Sequence, residues 1–239
     1  MTDQATSVEV KTDLDGLGSP EKAQHLSRFF KTGPGEYGEG DRFIGVRVPQ
    51  QRAVAKRYRG LPLSEIDLLL ASPIHEHRLT GLLILVDRYQ KGQEESERIE
   101  IVTFYLSRLH RVNNWDLVDL SAPKIFGEHL LHHPGERKKL FTLVQSSHLW
   151  ERRIAVVATW PLLKQKQFDE LLTLAETLLT DRHDLIHKAV GWMLREAGKV
   201  DLAILEGFLD QHAKIMPRTM LRYAIEKLSP KRRKHYMGR

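Results

Sequence analysis

The chain contains no cysteine, which removes disulfides, thiol nucleophiles and thiolate metal sites together. It also lacks a long apolar run. The longest, Leu79 to Val86, falls far short of the ~20 residues needed to cross a bilayer. The first residues, with Asp3, Glu9 and Asp13, have neither the basic nor the apolar region of a signal peptide, so a cytoplasmic, non-membrane protein is expected. There is no His-Glu-x-x-His pair, no Gly-x-Ser-x-Gly elbow and no Gly-Lys-Ser/Thr phosphate loop. The glycine-rich stretch from Gly33 to Asp41 is not a phosphate cradle, because Glu36, Glu39 and Asp41 would repel the ligand; it reads as an ordered connection. His129, His132 and His133 sit at a helix end before Pro134, and His75 and His77 flank Glu76 at a helix start. Neither group has metal-ligand spacing, and the latter reads as surface. No metal and no cofactor are expected. No stretch alternates with period two over a strand's length, which argues against a sheet.

What is present is helical periodicity in a basic chain. Its 239 residues are 41% hydrophobic, enough for a sizeable core, and 37 Lys+Arg against 31 Asp+Glu leave a net charge of +6. That balance favours a polyanion such as nucleic acid. Leu79, Leu82, Leu83 and Val86 fall at i, i+3, i+4 and i+7, and Phe168, Leu171, Leu172, Ala175, Leu178 and Leu179 follow the same rule. Breaks recur at Gly60-Leu61-Pro62, Ser72-Pro73, Gly92, Pro134-Gly135, Thr180-Asp181 and Gly198.

The helices come in pairs. In the second helix of each pair a basic residue precedes a small, apolar run, as at Arg78, Arg153, Lys188 and Arg218. Arg153 to Lys188 is 35 residues and Lys188 to Arg218 is 30; Trp115 lies 37 beyond Arg78 and 38 before Arg153. Two helices per ~30–40 residues is the signature of a HEAT-like (ARM-type) α-solenoid, whose second helices line a concave face. An all-α stack with a basic concave face is therefore expected over residues 19–230. Residues 1–18 are expected to be a flexible arm, and residues 231–239, with Lys231-Arg232-Arg233-Lys234-His235, a basic tail.

One stretch departs from the basic pattern. In Asn113-Asn114-Trp115-Asp116-Leu117-Val118-Asp119, Trp115 and Asp119 are one helical turn apart and share a face. A ring beside a carboxylate suits something positively charged. Further on, Lys188, Trp192 and Arg195 can share a face, and Arg152 and Arg153 form a pair next to Glu151.

These stretches also resemble a known family, the AlkD-like DNA glycosylases, which are built from HEAT-like repeats and remove alkylated bases. The matching pieces are Ser19-Pro20-Glu21-Lys22-Ala23, Phe43-Ile44-Gly45-Val46-Arg47-Val48-Pro49, Trp115-Asp116-Leu117-Val118-Asp119, Leu149-Trp150-Glu151-Arg152-Arg153 and Lys188-Ala189-Val190-Gly191-Trp192-Met193-Leu194-Arg195-Glu196. They run in the family's order across about residues 19–228. The resemblance implies that Asp119 is the catalytic carboxylate and that Trp115 and Trp192 touch the damaged nucleotide's sugar and backbone. It implies that Arg153 grips the phosphodiester, with Arg152, Lys188, Arg195, Phe29 and Arg47 as further DNA contacts. It also implies capture of the sugar-phosphate backbone without a base pocket. One departure stands out: where well-characterised members carry Tyr in the first helix, this chain has Phe29, so the ring is kept and the hydroxyl is lost.

The chemistry can be reasoned independently. N-glycosidic cleavage passes through an oxocarbenium-like sugar, and an N3- or N7-alkylated purine, already cationic, leaves without protonation. A carboxylate and positioned water then suffice. The expected function is a monofunctional glycosylase acting as a monomer on alkylated bases in duplex DNA, near the bacterial nucleoid. The alternative is a non-catalytic HEAT-like module binding DNA or protein. Asp119 discriminates between them, because a plain phosphate clamp gains nothing from a carboxylate.

Overall fold

A computed structural model describes residues 5–238. The described residues are helical apart from connections and one isolated bridge between Arg42 and Ile74, as the lack of period-two alternation predicts. The chain forms two compact units, one up to Ser121 and one from Ala122 on.

The first unit opens with α1 (Ser7–Asp15), α2 (Pro20–Phe29) and α3 (Val48–Arg57), followed by α4 (Leu63–Leu70), α5 (His75–Lys91), α6 (Glu95–Ser107) and α7 (Trp115–Ser121). The helix α5 is its axis, packed by α1, α3, α4, α6 and α7. Its apolar stripe of Leu79, Leu82, Leu83 and Val86 is buried, so the predicted periodicity marks the core.

The arm expected over residues 1–18 is a structured element over much of its length. Residues 1–4 lie outside the described part, but Ser7–Asp15 is helical, and Val10 and Leu14 are fully buried. The physical reason is a capping box, in which Thr6 caps the backbone of Glu9 while the Glu9 carboxylate accepts from the Thr6 N–H at 2.7 Å. Glu65 also accepts from the Ser7 N–H at 2.7 Å, and the Tyr58 hydroxyl donates to Asp13 at 2.7 Å. In the connection after α2, Gly45 takes φ +83°, and a side chain there would begin 2.2 Å from the Ser19 carbonyl oxygen. Only glycine fits this close approach to α2.

The second unit contains α8 (Glu128–His132), α9 (Lys138–Leu143), α10 (Leu149–Val157), α11 (Trp160–Lys164), α12 (Asp169–Thr177), α13 (Asp184–Val200), α14 (Leu202–His212), α15 (Arg218–Ala224) and α16 (Pro230–Met237). Here α13 is the axis, packed by α10, α11, α12, α14 and α15. It buries Ala189, Val190, Met193, Leu194 and Ala197 and leaves the opposite stripe of Lys188, Trp192 and Arg195 half-exposed. Gly191 lets α15 approach closely, since a Cβ there would lie 2.4 Å from the Met220 carbonyl oxygen and 2.5 Å from the Tyr223 Cβ. Gly191→Ala should therefore destabilise the protein by about 1–3 kcal/mol through overpacking. Thermal unfolding should show a loss of several degrees; an unchanged midpoint would mean that the two helices can part freely.

The basic carboxyl-terminal segment, expected as a tail, is the helix α16 as far as Met237; Arg239 lies outside the described residues. Ser229 caps it, Tyr236 is buried with its hydroxyl on Asp210 at 3.3 Å, and Arg232 pairs with Glu206 at 2.9 Å. One buried ring inside a charge run is enough to dock it.

Candidate functional site

Trp115 opens α7 and Asp119 follows one turn later; both are half-buried, while Leu117, Val118 and Ser121 face the core. The pattern of Trp-Asp-x-Val-Asp thus divides the helix into an inner and an outer stripe. The Trp115 ring stacks on Phe30, with centroids 5.2 Å apart and planes 14° from parallel. Phe29, expected as a contact, meets Trp115 edge-on at 6.1 Å and is 57% exposed, so its ring stands beside Trp115 at the surface. Such edge and offset contacts hold rings in fixed orientation. Phe43 extends the cluster, stacking on Phe30 at 5.0 Å. Arg47, at the head of α3, is exposed.

Beneath these rings lies a polar network whose burial the local sequence hides. His75, Glu76 and His77 were expected at the surface and are all buried. The His75 ring has Nδ1 3.0 Å from Asp41 Oδ2 and Nε2 2.8 Å from Asp116 Oδ2. Arg78 donates to the other oxygen of Asp41, and the Asn114 amide donates to Asp41 Oδ2 at 3.0 Å. Asn114 Oδ1 accepts from the Trp115 N–H at 2.8 Å, and Asp116 Oδ1 from the Leu117 N–H at 2.9 Å. Glu76 accepts from the N–H groups of Ile44, Gly45 and Val46. Burial alone would push the His75 pKa down, but the charge and hydrogen bond of Asp116, with Asp41 behind them, raise it to about 9. Burial likewise favours a neutral Asp41, yet the bond to His75 and the charge of Arg78 hold its pKa below the usual value.

In the second unit, Trp192 lies half-exposed on α13, its indole N–H donating to Glu196 at 3.2 Å and its ring meeting Trp160 edge-on at 5.2 Å. Lys188 pairs with Asp184 at 2.7 Å, and Arg195 pairs with Glu226. Burial pushes the Asp184 pKa up, but the hydrogen bond and charge of Lys188 keep it lowered. Two of the expected DNA contacts make hydrogen bonds within the chain. Arg153 is 5% exposed, with Nη1 donating to the Leu185 carbonyl at 2.6 Å, so it braces the start of α13. Arg152 bonds Asp181 at 2.8 Å and the Ser146 and Ser147 carbonyls at 2.9 Å, which makes it a brace of the same turn. The recurring cation is likewise drawn inward at Arg78, where Asp41 pairs with it. Backbone carbonyls and distant carboxylates take these charges inside, a pairing that spacing along the chain does not reveal.

Among the described residues, no group of three or more His, Asp or Glu side chains is placed to hold a metal ion, and no helix is long and apolar enough to cross a membrane. The described residues form helices without a β-strand, the all-α fold of a HEAT-like repeat protein. The chain belongs to the family of DNA alkylation repair enzymes, whose model matches residues 10–228. It shares its fold with a solved structure titled a predicted DNA alkylation repair enzyme from Enterococcus faecalis, at 21% identity and a TM-score of 0.71 over 89% of this chain and 97% of that one. AlkD2 from Streptococcus mutans is also similar, at 16% identity and a TM-score of 0.56 over 93% and 97% of the two chains. No curated protein matches the sequence. Membership of this family implies that the protein works on DNA.

Proposed function

We propose that the protein is a monofunctional DNA glycosylase that hydrolyses the N-glycosidic bond of cationic alkylated purines, N3-methyladenine and N7-methylguanine, in duplex DNA. The observation that carries this reading is the half-buried Asp119 carboxylate one turn from Trp115, in a chain of the DNA alkylation repair family. As the bond from C1′ to the base nitrogen breaks, its electron pair stays with the base and neutralises it. Positive charge builds on the sugar, where Asp119 stabilises it and orients water; the water oxygen adds to C1′ and its proton passes to solvent. At about 4 Å and an effective dielectric near 20, a carboxylate supplies roughly 4 kcal/mol. Trp115, one turn from Asp119, flanks the sugar and adds about 0.5–2 kcal/mol by cation–π contact; Trp192 is assigned a contact to the DNA backbone. Phe29, exposed beside Trp115, adds an apolar wall to the same patch.

Phosphate contact falls to Arg47, Lys188 and Arg195, which the surface leaves exposed or half-exposed. A monomer working in the bacterial cytoplasm at the nucleoid fits this role. Lyase chemistry would need an uncharged amine, and Lys188, the nearest candidate, has its ammonium on Asp184. Borohydride should therefore trap no covalent complex. A second reading, a DNA-binding module without catalysis, draws on Phe29, which lacks the hydroxyl that the resemblance led one to expect.

The test is single-turnover release from duplexes carrying one defined lesion each. N7-methylguanine should be excised and ethenoadenine, which is neutral, should not. Duplex affinity should fall steeply with salt, by a factor set by about 0.9 per phosphate neutralised in the log–log slope. Fast excision of the neutral lesion would contradict the reading.

A further inference from the structure

Asp41 and Phe30, which meet the start of α7, and Asp116, which lies in its first turn, all meet the His75 ring as well. We propose that His75 is a positioning residue for base release: its buried imidazolium clamps the first turn of α7 between Asp116 and Asp41 and so sets Trp115 and Asp119 for the sugar. This rests on the glycosylase reading of Trp115 and Asp119.

Two independent paths connect His75 to Trp115. One is polar: Nε2 holds Asp116, the residue next to Trp115, while Asp116 Oδ1 caps the Leu117 N–H. The other is apolar: the ring lies 4.6 Å from Phe43 and 5.0 Å from Phe30, and Phe30 is the ring on which Trp115 stacks. Asp41 closes the loop, because its Oδ2 accepts from Asn114 Nδ2 and Asn114 Oδ1 accepts from the Trp115 N–H. The polar ties of Asn114 and Asp116 at the start of α7 thus run to His75 or to the carboxylate it holds.

Charge balance fixes the protonation state. Asp41 and Asp116 approach the ring from the connection after α2 and from α7, and Arg78 on α5 covers the remaining oxygen of Asp41. Glu76, also on α5, is occupied by three backbone N–H groups. His77 turns to Ser72 and Asp15. From α2, Lys22 and His25 share with His75 the wall of a cavity of about 420 Å³. Two carboxylates facing one guanidinium leave a buried negative charge unless the imidazole carries a proton. The His75 pKa of about 9 agrees with this. The clamp is therefore fully engaged at neutral pH and is released as pH rises through that value.

The test uses the intact protein with three readouts between pH 6 and 10: the ring nitrogens of His75 and the indole N–H of Trp115 by NMR, and single-turnover base release at saturating enzyme. Release is compared with wild type at each pH so that ionisation of the lesion cancels. The ring should lose its proton near pH 9 and the Trp115 indole signal should shift with the same midpoint. His75→Gln should lower release at least tenfold while affinity for undamaged duplex stays within about twofold. Asp116→Asn should move both the ring titration and the loss of release to lower pH by a unit or more, a displacement that mere destabilisation does not produce. His75 deprotonated below pH 7, a Trp115 signal indifferent to its titration, or a folded His75→Gln variant with wild-type release would overturn the proposal. If His75→Gln does not fold, the wild-type and Asp116→Asn titrations decide alone. If wild type releases no base at all, the glycosylase reading fails, and the coupling of the Trp115 signal to His75 still decides the clamp.

Discussion

Asp119→Asn should slow base release by about two to three orders of magnitude while affinity for lesion-bearing duplex holds or rises. The substitution keeps the shape of the side chain on the outer stripe of α7 and removes its charge. The ~4 kcal/mol assigned to a carboxylate beside a sugar cation corresponds to about a thousandfold in rate. Affinity should not suffer, because a carboxylate near phosphates opposes binding. This opposite movement of rate and affinity separates a catalytic carboxylate from a structural one, whose loss would lower both. Trp115→Ala and Trp192→Ala should each cost less than Asp119→Asn, as single ring contacts do. An Asp119→Asn variant as active as the parent would remove Asp119 from the chemistry.

The second large effect concerns stability. Asp41→Ala should destabilise the protein by about 3–5 kcal/mol, since it leaves the buried cations of Arg78 and His75 facing each other without their shared carboxylate. For a chain of this length that corresponds to a fall of roughly 6–20 °C in the unfolding midpoint. The same network predicts a pH dependence with a definite sign. The folded-state pKa of His75, about 9, lies above the ordinary 6.5, so the folded protein holds more protons than the unfolded chain between these values. Its contribution is complete below about pH 6.5 and is lost as pH rises through 9. Thermal unfolding from pH 6 to 10 should show this decline in wild type and a flatter profile in Asp41→Ala. Equal midpoints for the two proteins would show that the network carries no stability.

How much of this was legible in the sequence depends on how local the determining contacts are. The helices were, because Leu79, Leu82, Leu83 and Val86 repeat at helical spacing and are buried together. So was the polar stripe of Lys188, Trp192 and Arg195 on α13, which follows from the 3.6-residue turn alone. The helix α1 has local signals, since Thr6 and Glu9 have capping-box spacing and Val10 and Leu14 lie one turn apart, yet two apolar residues among so many charges look like a loose arm. His75 was beyond local reading. Its partners sit 34 residues before it and 41 after it, and the triplet His75-Glu76-His77 has the composition of a surface. The same holds for Arg153 and Arg152, whose guanidiniums meet the Leu185 carbonyl and Asp181 about thirty residues further on. In each case a long-range partner made burial of a charge affordable, and only the fold reveals that partner.

The most direct measurement is the fate of the base itself. Purified protein is incubated with a duplex carrying a single N7-methylguanine, and the free base and the DNA are analysed separately. The account predicts free N7-methylguanine in solution and an abasic site left in an otherwise intact strand. Tight binding of the lesion duplex with no free base released would contradict it and leave a DNA-binding module in its place.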